Sequence, residues 1–182
     1  MSTSRKTARR CPDRKTVLGQ GLTLLATLST ALGHALPALA SSAPVHCSLQ
    51  APAQSRAGEP VLLSMTLRND GDVALQVLRW NTAFEGAWFG PWVKVRRDGR
   101  ALAYQGPQMK RGEPEPAQYF ELPPRGQRSA SLDLALVYDL SKPGLYEIEP
   151  SVVLHDVRAG STSGERRPQT PACAKLRLKI VP

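Results

Sequence analysis

The chain has 182 residues with 24 Lys+Arg against 15 Asp+Glu, a formal net charge of +9. Its 41% hydrophobic content suffices for a packed core and excludes wholesale disorder. With 16 Pro and 14 Gly it is not a helix bundle, and three Cys are too few for a disulfide-dense miniprotein.

Residues 1–15 concentrate Arg5, Lys6, Arg9, Arg10, Arg14 and Lys15 against Asp13 alone. A leucine-rich run follows, interrupted by Gln20 and His34, and ends at Ala38-Leu39-Ala40. A basic start, an apolar middle and a small-x-small end predict a cleaved signal peptide over residues 1–40. The run is too mixed for a clean membrane span, so membrane attachment is expected only if this segment stays uncleaved. Without it, residues 41–182 keep 18 Lys+Arg and 14 Asp+Glu, or +4. That is an ordinary surface charge, so no nucleic-acid partner is needed to explain the composition.

Export also bears on the cysteines. Cys11 leaves with the signal, and Cys47 and Cys173 remain. A disulfide is the simplest reading of an even pair in an oxidising compartment, with a thiol nucleophile or a metal pair as alternatives. Closing a loop of more than about 100 residues stabilises by roughly 4–5 kcal/mol in the chain-entropy model.

The rest reads as strands and turns. Residues 45–51 form a short first strand, and Gly58-Glu59-Pro60 turns the chain into residues 61–67, where Leu63, Met65 and Leu67 alternate with polar neighbours. Asn69-Asp70-Gly71-Asp72 predicts a turn, with residues 73–80 returning as a strand. Residues 92–97 alternate again, Asp98-Gly99 marks a hairpin, and residues 101–104 lead out of it. After a Pro/Gly loop at 106–116, strands are expected at 119–122, 129–134, 145–154 and 174–181, the last a candidate edge. No amphipathic helical window appears. About seven to nine short strands with regular turns predict an all-β, immunoglobulin-like antiparallel sandwich over residues 41–182, with a barrel as the competitor.

Several ordered pieces carry a resemblance. Leu67-Arg68-Asn69 leads to Leu78-Arg79-Trp80-Asn81-Thr82 and Phe84-Glu85-Gly86. Val95-Arg96-Arg97-Asp98-Gly99, Tyr104-Gln105-Gly106-Pro107 and Lys110-Arg111-Gly112 come next. Then follow Leu132-Asp133-Leu134, Tyr138-Asp139-Leu140-Ser141 and Pro143-Gly144-Leu145-Tyr146. In order and spacing these resemble the β-sandwich domain preceding the catalytic domain in bacterial secreted metalloendopeptidases of the deuterolysin-like, lysine-specific class. That family's zinc chemistry uses an H-E-x-x-H helix with a downstream Asp, and H-E-x-x-H does not occur here. The resemblance therefore implies an accessory domain rather than an enzyme, with no cofactor or metal of its own. It implies a periplasmic or secreted protein-binding module acting as protease inhibitor, chaperone or latency element, with a secreted metalloendopeptidase as partner. The alternatives are a cell-envelope structural or adhesion module, which would bind an envelope protein or glycan, and the remnant of a split peptidase.

Candidate binding residues are Trp88 and Phe89, in an aromatic Gly-rich stretch at 80–92, and Lys110 and Arg111, in the Pro/Gly loop. Trp80, Tyr138 and Asp139 are expected to be structural, Trp80 by core packing and Tyr138 by tethering a loop through its hydroxyl.

Overall fold

The computed structural model describes residues 45–162 and 164–182, which belong to a compact unit spanning Leu39–Pro182. The signal-peptide expectation for residues 1–40 lies outside the described residues.

The chain is all-β. Its strands are, in order, β1 (Val45–Gln50), β2 (Gln54–Arg56), β3 (Leu62–Asn69), β4 (Leu75–Leu78), β5 (Val93–Arg97) and β6 (Arg100–Ala101). They continue with β7 (Tyr119–Leu122), β8 (Gln127–Asp133), β9 (Gly144–Pro150), β10 (Val157–Ala159) and β11 (Leu176–Val181). Three single-turn 3-10 helices, at Ala83–Glu85, Pro116–Gln118 and Leu134–Leu136, complete the described elements.

Period-two alternation builds the sheets. In β3, Leu63, Met65 and Leu67 are fully buried while Ser64 and Thr66 face out. There they pair hydroxyl to hydroxyl with Ser131 and Ser129 of β8, at 2.6 and 2.7 Å. One sheet runs β1-β3-β8, a second β10-β4-β7, and a third β2-β11-β9-β5-β6. All pairings are antiparallel except β2 with β11. Inward residues of all three sheets, among them Met65, Val77 and Ile148, join one core cluster in a sandwich-like arrangement.

The expected hairpin at Asp98-Gly99 forms: Arg97 opposes Arg100, and both turn residues have positive φ, 47° and 79°. Two such angles give a type I′ turn, whose twist suits a two-residue hairpin and which glycine adopts without strain.

Three expectations are corrected. Among the described residues eleven strands form rather than seven to nine, the unforeseen ones being the three-residue β2 and β10. The strand after Asn69-Asp70-Gly71-Asp72 does not return along β3 but crosses into the second sheet, between β10 and β7. The reason is Asn69, fully buried: its amide donates to the carbonyls of Val73, Leu122 and Pro123, and its Oδ1 accepts from the Gly71 amide. That clamp fixes the turn to the end of β7, and β3 pairs with β1 and β8 instead. Finally, the C-terminal strand is no edge, since β11 sits between β2 and β9.

Cys47 on β1 and Cys173, just before β11, form a disulfide with a Cα–Cα distance of 4.9 Å across 126 residues. It ties the first sheet to the approach of the third.

Candidate functional site

The loop between β4 and β5 is built from local bonds. Thr82 caps the 3-10 turn at Ala83–Glu85: its hydroxyl donates to the Arg79 carbonyl and accepts from the Phe84 amide. Asn81 takes a left-handed φ of 52°, and its amide donates to Glu85 Oε2 at 3.0 Å. Its Oδ1 lies where a Cβ on Gly90 would come within 2.8 Å, so a side chain at position 90 would have to push the Asn81 carboxamide aside.

Over this loop closes the segment 106–116. Met109 donates its amide to the Phe89 carbonyl, and Arg111 reaches Glu85 Oε1 at 2.5 Å, both side chains being largely buried. The guanidinium of Arg111 also lies over the rings of Trp80 and Phe89, 5.3 and 5.5 Å from their centroids. Thus Trp80, Phe89 and Arg111, three residues singled out from sequence, meet in one latch. Lys110 beside it is exposed. Trp80 is 4% exposed and packs with Leu78 and Tyr119 in a small satellite core.

Trp88 is elsewhere. It is buried, stacks on Trp92 with centroids 4.8 Å apart, and donates its indole N–H to the Asp133 carbonyl at 2.9 Å. The expectation that Trp88 offers a binding surface is therefore corrected: its ring fills the core and its polar atom has a partner. Tyr138, also buried, donates its hydroxyl to the Val93 carbonyl of β5; burial, then the neighbouring Tyr104, pushes its pKa up to about 12. Asp139 is exposed and accepts from both the amide and the hydroxyl of Ser141, which lowers its pKa.

The latch leads to a second polar cluster that sequence reasoning missed. Asn81 Nδ2 lies 3.4 Å from His155 Nε2, and the next residue, Asp156, is fully buried. Asp156 receives the Arg158 guanidinium at 2.7 Å, the Tyr119 hydroxyl at 2.7 Å and the Arg167 amide at 2.8 Å. Burial alone would raise the Asp156 pKa, but these donors and the Arg158 charge outweigh it and the net shift is downward. The same contact, after burial, lifts Tyr119 to about 12. His155, half-buried and facing Arg166 and Arg111, is pushed below the usual imidazole range, with burial the leading cause. The available signal was the Asp-x-Arg spacing at 156–158, which puts both side chains on one face of an extended segment.

Chemically, the corner is a set of closed ion pairs and buried donors. Among the described residues, no three His, Cys, Asp or Glu are grouped to hold a metal ion.

No family model matches the chain. It is 31% identical to a neutral protease 2 homolog of Arthroderma gypseum over 139 residues, covering 71% of this chain and 35% of that protein. It is 29% identical over 153 residues to a probable neutral protease 2 homolog of Arthroderma otae, covering 79% of this chain and 40% of that protein. A third relative is an extracellular protease of Aeromonas hydrophila, 29% identical over 90 residues, half of this chain and 25% of that protein. The chain is a distant relative of these proteases. It spans two fifths or less of the length of each. The expectation that the chain is no enzyme is corrected by these matches, which point to a protease-family protein. That expectation weighed the missing H-E-x-x-H in a chain that matches only part of each relative.

Proposed function

We propose that residues 41–182 are the protein-binding sandwich of a secreted peptidase system, exported behind residues 1–40. The module engages a peptidase catalytic domain, aids its folding and holds it latent until release. The observation that carries this reading is the match of most of the chain to about a third of proteins named as neutral proteases. The stapled, closed architecture supports it. The disulfide, the buried Asp156 pair and the Arg111 latch make a rigid body that presents a fixed surface, as a folding template requires. The name of the Aeromonas relative supports export, and so does the disulfide. The adhesion alternative loses its main anchor with Trp88 in the core.

The test uses the Aeromonas hydrophila extracellular protease. It is unfolded in guanidinium and diluted into buffer with and without one equivalent of the full chain, and recovered casein hydrolysis is followed. The expected result is a higher refolding yield together with stoichiometric inhibition of the refolded protease. Failure to bind, to inhibit and to raise the yield would sink the reading.

A further inference from the structure

The outer face of the third sheet carries an unusual charge pattern. Burial alternation turns Lys94 and Arg96 of β5 outward, and strand register sets Glu149 and Glu147 of β9 directly opposite them. On the far side of β9, Arg177 of β11 opposes Glu147, and Lys175 reaches Glu149 at 3.2 Å. Lys179 follows on β11, opposite the exposed Leu145, and Arg56 of β2 extends the same face opposite Val181. Neighbouring strands lie about 4.8 Å apart, so two basic rows stand about 10 Å apart astride one acidic row.

The balance is lopsided. Six bases and two acids occupy these outward positions. Asp98, exposed just past β5 and accepting from the Leu145 amide, adds a third acid at the margin, so the face carries three of the four excess positive charges of residues 41–182, which hold 18 Lys+Arg and 14 Asp+Glu. Two of the bases are partly used, Lys175 by Glu149 and Arg177 by Glu147 at 3.7 Å. Among the described residues, no ion pair holds Arg56, Lys94 or Lys179.

We infer that this face docks the acidic surface of a folded protein, and specifically that of the peptidase domain assigned above; the inference rests on that reading. Charge complementarity names the partner's chemistry. A partner with two acidic rows meets β5 and β11, while a basic strip between them meets Glu147 and Glu149. The acidic row is what favours a protein. A uniform linear polyanion brings negative charge onto both glutamates, which costs affinity, whereas a protein surface can alternate sign at strand spacing. Leu145, 46% exposed between the charged rows, supplies an apolar contact that such a partner can cover. Rim charges of this kind act mainly on the association rate and on its salt dependence.

The test measures association of the full chain with the Aeromonas hydrophila extracellular protease by stopped-flow fluorescence. A face variant carries Lys94→Glu, Arg177→Glu and Lys179→Glu. A control of equal net charge carries Arg68→Glu, Arg79→Glu and Arg128→Glu, all exposed bases outside the third sheet. The expected result is an association rate at least about tenfold lower for the face variant and within about twofold for the control. Native association should also slow about tenfold between low and physiological salt, a readout that needs no variant to fold. Equal slowing of both variants, or of neither, would overturn the face while leaving the proposed function standing. No association by the native chain, with no effect on refolding, would overturn both. Retention of the native chain on heparin, lost in the face variant and without protease association, would also overturn it, in favour of a linear polyanion.

Discussion

At the Asp156 corner the charges are few, buried and matched; on the outer face of the third sheet they are many, exposed and unequal. Asp156 and Arg158, 0% and 5% exposed, have each other and a ring of hydrogen-bond donors and acceptors. Arg56, Lys94 and Lys179 stand in water, and none appears among the ion pairs of the described residues. The same residue types therefore do different work. A buried pair costs desolvation and is kept for the geometry it fixes, here the seating of β10 and the loop after it. An unbalanced exposed face contributes little to stability and leaves its field free to act on a partner.

The comparison breaks first at Asp156. Replacing it by Ala leaves the Arg158 guanidinium buried without its carboxylate and should cost about 3–5 kcal/mol in urea unfolding. A loss below about 1 kcal/mol would mean that the corner is not a matched pair at all. The pair also sets an acid limit. Asp156 has a folded pKa below its unfolded value of 3.8, so its stabilisation is present above that pH and disappears as pH falls through the folded pKa. Asp156→Asn should flatten the stability profile below about pH 4.

Next is the staple. Cys47→Ser with Cys173→Ser should lower stability by about 2–5 kcal/mol, read from the same unfolding curves. Opening the latch by Arg111→Ala should cost about 1–3 kcal/mol, because Glu85 loses its cation and two rings lose their cap. The emission of Trp80 should shift with it, while the stacked pair Trp88 and Trp92 stays put. His155 provides a smaller handle on the same corner. Its folded pKa lies below 6.5, so its contribution is present above pH 6.5 and fades as pH drops through the folded value. His155→Gln should remove that mildly acidic decline in a melting series. The smallest effect belongs to the face: Lys94→Glu or Lys179→Glu should change stability by no more than about 0.5 kcal/mol. A larger loss there would give the face a structural role and blur the contrast.

Local chemistry was legible wherever it was self-contained. Tyr119–Leu122 and the Asp98-Gly99 hairpin form where alternation and turn residues place them, because strand pattern and type I′ geometry need nothing beyond a few neighbours. The Asn69 turn was visible, but its outcome was not. Whether the next strand returns or crosses depends on carbonyls of Leu122 and Pro123, more than fifty residues on. Arg111 sits in a loop without periodicity, and its seat is made by rings at positions 80 and 89. Asp156 and Arg158 straddle the start of a three-residue strand, too short for alternation to reveal which side is inward. Trp88 and Phe89 are neighbours with opposite fates, decided by a carbonyl on β8 and a guanidinium from the 106–116 loop.

The Cys47–Cys173 bond encloses almost the whole sandwich, including the polar connection at 160–171. A protease that cuts that connection once releases no fragment, since both new pieces stay joined through sulfur. Such a nicked molecule migrates near its full mass on a non-reducing gel and separates into two bands only when the bond is reduced. In a milieu of secreted peptidases, cleavage and loss become separate events, and damage is recorded long before it is felt.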